Sequence, residues 1–467
     1  MPISKKEIER IKKVETSDFT LPETRKEAFN LLESLCKTIM EQAKEIQELK
    51  DEINRLKGEK GNPAFEQKKK KPEEKEKKMN TTLKKEWKKG TKKDKIKIDR
   101  TETVKLDRTG LPGDLQPKGY EEKVIQNIML KTDNVLYRME KCYSPSAGKT
   151  YTAKLGNGMD GTSFGPEAKA LVMTLYYENR VTENKIASFL NANGLRISEG
   201  TVSNILIKEE SGQLSEIRAG MLSAGLSSST YQQIDDTGVK IAGSNGYATI
   251  IGNERYSVYN MNLSKSREAV ASFLTPELSG LFDVLVGDDA PQFKKIAGRY
   301  SLCWIHEERH YKKLAPVLGV HREELENMRA EIWAYYDKLQ DYRDQPTKEK
   351  KRRLWDEFDA LFRQETGYGE LDKRLSLTLD KKAELLTVLD YPETPLHNNL
   401  SENGLREIVV KRKVSGGVKT DEGARAWENN MSILATCRKL GVSFYDFMQG
   451  VFSKHIPFCL PSLILQT

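Results

Sequence analysis

The stretch YQQIDD at residues 231–236 decides the fold class. It predicts an apolar strand that ends in two carboxylates and is followed by a turn at residues 237–238. The run VLVGDD at residues 284–289 repeats this pattern. Ligands in open α/β sheets bind beyond the carboxyl ends of the strands. Two neighbouring strands of this kind would therefore place Asp235 and Asp288 side by side at one edge of a sheet.

Paired carboxylates indicate a cation site. Like charges that lie close together repel each other unless a cation sits between them, and a hard divalent ion such as Mg²⁺ prefers oxygen ligands. The alternative is structural, because aspartate is common in the turns that follow strands. For either run taken by itself, the turn is the better interpretation.

Length and composition describe a protein of several domains without membrane spans. A chain of 467 residues predicts about two to four domains, and 31% charged residues with a mean hydropathy of −0.64 indicate long polar segments. The five cysteines include no CxxC pair, which argues against a disulfide framework or a zinc ribbon. The first residues lack the apolar core of a signal peptide, and no run approaches the roughly 18 apolar residues that span a membrane. We therefore predict a cytoplasmic protein with no membrane partner.

The net charge of +8 is concentrated in one segment. Residues 68–100 carry 16 Lys and Arg against 6 Asp and Glu, which leaves the rest of the chain slightly acidic. A basic tract favours polyanions, chiefly nucleic acid. A solvated linker is the alternative. Residues 58–100 are predicted to be a basic flexible linker, because their lysine runs, glycines and prolines leave little apolar content.

Residues 24–57 are predicted to form a coiled-coil dimerisation helix. Apolar residues recur in steps of four and three, with Ile46 and Ile53 at a positions and Leu49 and Leu56 at d positions. This combination favours parallel two-stranded coiled coils. The full seam is Ala28, Leu32, Leu35, Ile39, Gln42, Ile46, Leu49, Ile53 and Leu56. The alternative is a single amphipathic helix packed on its own protein.

Two modules are predicted between the linker and the first acidic strand. Residues 101–165 form a small strand-rich module with strands at 124–128 and 135–139. Residues 166–210 form a helix-turn-helix DNA-binding domain, in which two short helices are joined by a turn at Gly194. The residues predicted to face a major groove are Thr201, Ser203, Asn204 and Lys208, and those predicted to face inward are Val202, Ile205 and Leu206. Plain packing of a helical hairpin is the alternative, and the nearby basic linker favours DNA.

From residue 230 the apolar pattern alternates with a period of two. It predicts a helix at 264–279 and strands at 231–235, 239–242, 247–252, 255–261, 282–287 and 300–305. Residues 307–395 are helical and charged.

The segment NNLSENGLR at residues 398–406 adds a third acidic residue. On a helix Asn398, Glu402 and Arg406 share one face, which presents a carboxylate between polar and basic groups. A capping box of Asn399 and Glu402 would explain the same spacing without catalysis.

Taken in order, these segments resemble the DDE transposases of the insertion-sequence sixty-six family, the TnpC-type transposases. The segments that carry the resemblance are IDDT at 234–237, VGDDAPQF at 286–293, CWIH at 303–306 and NNLSE at 398–402, together with SRE at 266–268 and KRKVSGG at 411–417. The resemblance covers residues 101–455.

The resemblance implies a multidomain α/β protein. Its RNase H-like catalytic domain, a mixed five-stranded sheet with helices, is interrupted by a helical insertion and preceded by a coiled coil and a helix-turn-helix domain. The catalytic domain then comprises residues 230–306 and 396–455, the helical insertion residues 307–395 and the C-terminal tail residues 456–467.

The resemblance also implies a catalytic triad of Asp235, Asp288 and Glu402, which would bind two Mg²⁺ or Mn²⁺ ions. Asp236 and Asp289 are the neighbouring alternatives to the two aspartates. The expected contacts to DNA phosphates are Arg406, Lys411 and Lys413. His306 would lie near the metal site or be an ordinary histidine at the end of a strand, and the second interpretation is preferred. Many family members carry a Cys-rich zinc-binding module ahead of the helix-turn-helix, whereas this chain has only Cys142 there, so no zinc is predicted.

The expected function is therefore that of a DNA transposase, which binds the ends of an insertion sequence and catalyses Mg²⁺-dependent strand cleavage and strand transfer. Its expected partners are double-stranded DNA of the element ends and target, a second copy or a higher assembly through the coiled coil, and accessory proteins of the same element. It would lie in the bacterial cytoplasm and join the nucleoid when bound to DNA. The alternative is a non-enzymatic coiled-coil helix-turn-helix DNA-binding protein with an inactive RNase H-like body. A phosphotransfer enzyme that uses Asp235 as a nucleophile ranks last.

Overall fold

The computed structural model describes residues 22–56, 97–107, 109, 118–128 and 130–466. The chain forms two compact units, one made of residues up to 45 together with 133–467, and the other of residues 46–132. Most of the predicted basic linker, residues 58–96, lies outside the described residues. In the part of the chain that is described, no helix is long and apolar enough to cross a bilayer.

Helix α1 spans Pro22–Leu56 and has two different faces. On one face Phe29, Glu33 and Cys36 are buried. The heptad residue Leu35 is instead 49% exposed. The first part of the helix thus packs on its own protein, as the alternative interpretation held, whereas the pairing of two helices stays a prediction.

The segment that precedes the helical body has its strands at other positions than predicted. Its strands are β1 Lys141–Ser144 and β2 Lys149–Thr152, which form an exposed antiparallel hairpin. The strands predicted at 124–128 and 135–139 are wrong, because these residues have no regular secondary structure. Alternating hydrophobicity does not suffice for a strand, which also needs a hydrogen-bonding partner and a face to bury.

Helices precede the main sheet. They are α2 Pro166–Met173, which continues into a π-helical turn Thr174–Glu178, then α3 Glu183–Ala192, α4 Glu199–Ile207 and α5 Ser211–Leu226. Helix α4 begins at a side-chain cap, because Ser198 Oγ accepts a hydrogen bond from the Thr201 amide at 3.1 Å. Val202, Ile205 and Leu206 are buried, as predicted. Helix α5 was not predicted, since its glycines and serines lower helix propensity.

The main sheet is mixed and has five strands. They are β3 Tyr231–Ile241, β4 Ser244–Gly252, β5 Ser257–Asn262, β6 Val284–Gly287 and β7 Arg299–Leu302. The order across the sheet is β5-β4-β3-β6-β7, with β3, β4 and β5 antiparallel and β6 and β7 parallel to β3. The expected mixed five-stranded sheet with helices is therefore confirmed.

Two local predictions within the sheet region are wrong. The chain does not turn at residues 237–238, because β3 continues to Ile241 and reverses at Ala242 and Gly243, which both have positive φ. The helix predicted at 264–279 is divided into α6 Arg267–Ala271 and α7 Pro276–Ser279. A proline cannot continue a helix that precedes it, so Pro276 starts a new one.

The helical block after β7 has a core of its own. Its helices are α8 Trp304–Lys313, α9 Gly319–Asp344, α10 Lys348–Phe362, α11 Gly369–Leu379 and α12 Lys382–Leu385, followed by a 3₁₀ turn Thr387–Leu389. Trp304 is buried in this core beside Phe358 and Phe362. The strand predicted at 300–305 therefore ends early, because Trp304 already begins a helix.

The last helices cover the sheet. They are α13 Asn399–Ser415, α14 Asp421–Leu440, α15 Phe444–Ser453 and α16 Leu460–Leu465. Helix α13 approaches the sheet closely at Gly404, where a β-carbon would lie 2.3 Å from Ile250 Cδ1. In the predicted tail, Leu460 and Ile464 are buried in the main core.

Asn398, which immediately precedes α13, joins this helix to the sheet. Its side chain is fully buried and donates a hydrogen bond from Nδ2 to the Ile234 carbonyl at 2.8 Å. Its amide donates to Cys303 Sγ at 3.3 Å, and the Leu400 amide donates to Gln233 Oε1 at 3.1 Å. The beginning of α13 is thus fixed beside the middle of β3.

We predict that Asn398→Ala lowers the free energy of unfolding by about 1–3 kcal/mol, because it removes a buried hydrogen bond between two elements far apart in sequence. Asn403→Ala is the matched control, since Asn403 is exposed on the same helix. Urea unfolding of the two variants would measure the difference, and equal stabilities would contradict the importance of this joint.

Candidate active site

Asp235 and Asp288 lie in register on neighbouring strands. Gln233 of β3 pairs with Val286 of β6 in parallel register, so each aspartate comes two residues after a paired position. Strand β6 ends at Gly287, whereas β3 continues. At Asp235, β3 therefore no longer has β6 as a hydrogen-bonded neighbour. The two carboxylates belong to the same edge of the parallel pair.

The electrostatic state of Asp235 reflects this position. The pKa of Asp235 is raised to about 7, chiefly by burial; the nearby charges of Asp288, Asp236 and Glu402 contribute to the rise, and a hydrogen bond from the Asp236 amide opposes it. Among the described residues, no cationic side chain forms an ion pair with Asp235. Its carboxylate is therefore destabilised by its surroundings, and bound positive charge would relieve this cost.

The two neighbouring aspartates have partners of their own. Asp236 forms an ion pair with Lys265 at 2.9 Å and accepts a hydrogen bond from Gln292 Nε2 at 2.7 Å. Asp289 pairs with Lys294 at 2.7 Å and with Lys381 at 2.6 Å. Burial opposes ionisation of Asp289, but hydrogen bonds from the two lysines lower its pKa. These contacts distinguish Asp236 and Asp289 from Asp235.

Glu402 in the first turn of α13 faces a cavity that Asp235 also lines. The cavity has a volume of about 270 Å³. Its lining residues are Asp235, Asp236, Thr237, His306, Arg309, Glu402, Leu405, Arg406 and Val409. The capping box of Asn399 and Glu402 does not form, because the residue before α13 is Asn398 and makes no side-chain cap. Glu402 instead turns toward the cavity.

Two residues of α8 contact Glu402. His306 Nε2 lies 3.4 Å from Glu402 Oε1, and Arg309 Nη2 lies 3.4 Å from Oε2. Oε1 itself is buried and has no hydrogen-bond partner among the residues that the structure describes. Burial lowers the pKa of His306 although Glu402 raises it, which favours the neutral imidazole. Sequence reasoning considered His306 near the metal site but preferred an ordinary histidine at the end of a strand, and it missed Arg309. The spacing of the two residues on one helical face was the available signal.

The three carboxylates are not drawn tightly together. The charge of Asp288 contributes to the raised pKa of Asp235, but Asp288 does not line the cavity. Within the described ranges, no group of three or more His, Cys, Asp or Glu side chains is close enough to hold a metal ion. The donors nevertheless suit a hard divalent cation in kind, because all three are carboxylates, whose oxygen atoms such an ion prefers.

The predicted phosphate contacts differ in exposure. Arg406 is exposed and lines the cavity, and Lys413 is exposed one to two turns further along α13. The prediction for Lys411 is wrong, because this side chain is only 1% exposed and its ammonium lies 3.4 Å from the centre of the Tyr176 ring. Burial lowers the pKa of Lys411 to about 8. Lys411 therefore packs α13 against the preceding helices instead of contacting DNA.

The four residues predicted to face a major groove lie in or directly after α4. Asn204 and Lys208 are exposed. Thr201 and Ser203 are half-buried, and the Thr201 hydroxyl lies 2.9 Å from the hydroxyl of the capping residue Ser198. Asn204 and Lys208 are thus the more accessible pair for an external partner.

A mixed five-stranded sheet with acidic residues at the open edge of its parallel strands is consistent with the α/β domain of a DDE transposase. Comparison with known families agrees with this class. The family described as "Transposase IS66 family" matches residues 161–426, which is more than half of the chain. The chain belongs to this family, as the sequence resemblance predicted.

Two curated proteins of Sinorhizobium fredii (strain NBRC 101917 / NGR234) are similar to the chain. The uncharacterized protein y4jO is 30% identical over 49% of the chain and 93% of its own length. The uncharacterized protein y4qI is 22% identical over 45% of the chain, and the match spans only 36% of its length. Neither name specifies an activity, so these relatives do not indicate which reaction the chain catalyses.

We predict that Asp235→Asn raises the melting temperature in metal-free buffer at pH 8 but not at pH 4. The folded chain holds the Asp235 proton up to a pH of about 7, whereas an unfolded aspartate loses it near 3.8. Folding therefore becomes less favourable as the pH rises between these values, by at most about 4 kcal/mol, and the amide avoids this loss. Asp236→Asn should instead lower stability, because it loses the Lys265 ion pair. A pH-independent effect of Asp235→Asn would contradict the prediction.

Proposed function

We propose that the protein is a DNA transposase that binds the ends of an insertion sequence and catalyses metal-dependent strand cleavage and strand transfer with Asp235, Asp288 and Glu402. The observation that supports this proposal most directly is a difference between neighbouring acids. Asp236 and Asp289 are neutralised by lysines, whereas Asp235 lies in register with Asp288, shares a cavity with Glu402 and has a raised pKa.

Transposases of the DDE class generally use divalent metal ions. We assign Asp235, Asp288 and Glu402 as ligands of two Mg²⁺ or Mn²⁺ ions, and no zinc. The unpartnered Oε1 of Glu402 and the destabilised carboxylate of Asp235 support this donor set. When bound, the ions supply an activated water and stabilise the leaving oxygen of a phosphodiester.

The chain's own cations bind and orient the DNA backbone in this proposal. Arg309 and Arg406 line the cavity beside the carboxylates, and an arginine can hold a phosphate with two parallel hydrogen bonds. His306 and Arg309 position Glu402 from α8. Lys413 extends the basic surface along α13.

The reaction consists of two phosphoryl transfers. Water attacks the phosphodiester at the element end, the bond from phosphorus to the 3′ oxygen breaks, and a free 3′-OH results. That 3′-OH then attacks a phosphodiester of the target DNA: a bond from phosphorus to the element's 3′ oxygen forms, the bond from phosphorus to the target's own 3′ oxygen breaks, and a target 3′-OH is released. No covalent link to a protein side chain is required.

The proposed partners follow from this reaction. They are double-stranded DNA of the element ends and target, a second copy of the chain that pairs through α1, and accessory proteins of the same element. The helix-turn-helix formed by α3 and α4 is proposed to read the element end. A DNA-binding protein with an inactive catalytic body is the alternative, and a cleavage assay separates the two.

We predict that Asp235→Ala, Asp288→Ala and Glu402→Ala each reduce Mg²⁺-dependent nicking of element-end DNA by about 10³-fold or more, because each loses a ligand worth several kcal/mol to the transition state. DNA affinity should stay equal or rise, since a repulsive carboxylate is removed.

The matched controls for these variants are Asp236→Ala and Asp289→Ala, which should retain nicking. An Asp235→Ala protein that still cuts, or an Asp236→Ala protein that is folded and inactive, would refute the assignment. If the wild-type protein binds DNA but never nicks it in Mg²⁺ or Mn²⁺, the non-enzymatic alternative is correct.

We further predict that Lys208→Ala weakens binding to all DNA sequences and reduces the slope of log affinity against log salt by about one, as the loss of one phosphate contact requires. Asn204→Ala should instead cost about 1–3 kcal/mol on the element end alone. Lys373→Ala, at an exposed lysine of α11, is the control. Equal effects of all three substitutions would exclude α4 as the DNA-reading helix.

A further inference from the structure

Glu33 of α1 is buried at the start of another helix. Glu33 is only 2% exposed. Its carboxylate accepts hydrogen bonds from the amides of Val317 at 2.5 Å and Leu318 at 2.9 Å. These amides stand at the N-terminus of α9, where unpaired N–H groups and the helix dipole favour an anion. His321 Nδ1 lies 3.2 Å from the same carboxylate. Lys37 Nζ also lies 3.7 Å from Oε1. A buried carboxylate with these partners makes a specific contact between two helices, because an unpaired one would be strongly destabilising.

Further contacts on the same face fix α1 to the helical block. Lys26 forms an ion pair with Asp372 at 2.7 Å, and Lys37 forms one with Glu370 at 2.6 Å. The Gly369 amide donates a hydrogen bond to Asn30 Oδ1 at 2.8 Å. The contacts of Glu33 with α9 and those of its neighbours with α11 together form a clamp between α1 and the insertion.

The heptad seam lies on the other side of the helix. At 100° per residue, Leu35 is about 160° from Glu33 around the helix axis. Leu35 is 49% exposed, and in the other unit Ile46 and Leu49 of the same helix are 53% and 56% exposed. Exposed apolar side chains at heptad spacing are typical of a surface that packs against a second helix.

We propose that α1 is a two-sided connector: its seam pairs in parallel with the seam of a second copy, while its opposite face clamps the helical insertion of its own chain. The proposal deepens the proposed function, because it specifies how a transposase dimer would hold its two insertions. The insertions would be attached to the paired helices instead of being free to move away from them.

The sequence around the seam supports a second copy as the partner and a parallel orientation. In a parallel coiled coil, a g residue faces the e residue five positions later in the partner. The sequence has glutamates at the g positions 45 and 52 and lysines at the e positions 50 and 57, so the heptad pattern is complementary in charge for a parallel pair. An antiparallel pair would bring glutamates to glutamates and lysines to lysines.

The clamp is tested with Glu33→Ala in the full-length protein. We expect hydrogen exchange of peptides that contain the Val317 and Leu318 amides to become at least about tenfold faster, while light scattering still gives the mass of a dimer. Glu33→Gln keeps an acceptor oxygen and should fall between the wild type and Glu33→Ala. Glu41→Ala, at an exposed glutamate of the same helix, is the control. Unchanged exchange in a folded Glu33→Ala protein would overturn the clamp.

The seam is tested with the double substitution Leu35→Glu and Ile46→Glu. We expect a monomer in which the Val317 and Leu318 amides stay protected. The control Met40→Glu changes a residue that is 46% exposed but outside the a and d positions, and it should stay dimeric. A monomeric wild type, a seam variant that stays dimeric, or one that loses amide protection would each overturn the two-sided connector.

The parallel orientation has its own readout. Under mild oxidation, Leu49→Cys in a background of Cys142→Ser and Cys459→Ser should form a disulfide between two copies, because d positions face each other in a parallel pair. A dimer without this crosslink would overturn the orientation. None of these measurements uses DNA, so their failure leaves the cleavage proposal standing, and a failure to cleave leaves the connector standing.

Discussion

The hydrogen bond from Asn398 to the Ile234 carbonyl is the contact on which the arrangement of the site depends. Glu402 is separated from the sheet by the whole helical insertion, and a chain that long could place it almost anywhere. Asn398 fixes the start of α13 beside β3, and Cys303 accepts the Asn398 amide from the other side. Gly404 then lets α13 lie close to the sheet. One turn of helix carries the carboxylate of Glu402 from this joint to the cavity that Asp235 lines.

The second constraint is the distribution of charge. The acidic residues near the end of β6 are not equivalent, because Asp236 and Asp289 pair with lysines, whereas Asp235 forms no ion pair within the described part of the chain. Electrostatic repulsion among carboxylates is costly in a partly buried site. A cluster of ionised carboxylates such as this one is therefore stabilised when it binds positive charge from solution. For a transposase, that charge would be metal ions, and the arginines at the rim would receive the phosphodiester. The clamp at Glu33 would apply the same principle elsewhere, because a buried carboxylate is stabilised by directed hydrogen bonds.

The sequence predicted those parts that depend on local pattern and on ordered motifs. The acids of the 231–236 and 284–289 runs and the inner face of α4 were accessible in this way, because period and spacing are visible in one chain. The turn at 237–238 was not, since a β-strand that loses one neighbour can continue with the other. The burial of Lys411 could not be predicted from the sequence either. A lysine in a basic run is expected to be exposed, and its contact with the distant ring of Tyr176 has no local signal. Contacts between distant segments, such as His306 with Glu402 and Glu33 with α9, leave no periodic signal at all.

The central claim is that Asp235, Asp288 and Glu402 converge on divalent metal. Crystals grown with Mn²⁺ and element-end DNA would test it most directly, through the anomalous scattering of the ion. The account predicts Mn²⁺ peaks about 2.0–2.5 Å from carboxylate oxygens of all three residues, with Asp236 and Asp289 still paired to their lysines. Peaks at Asp236 or Asp289, or well-ordered DNA in the cavity with Glu402 turned away and no metal bound, would contradict it.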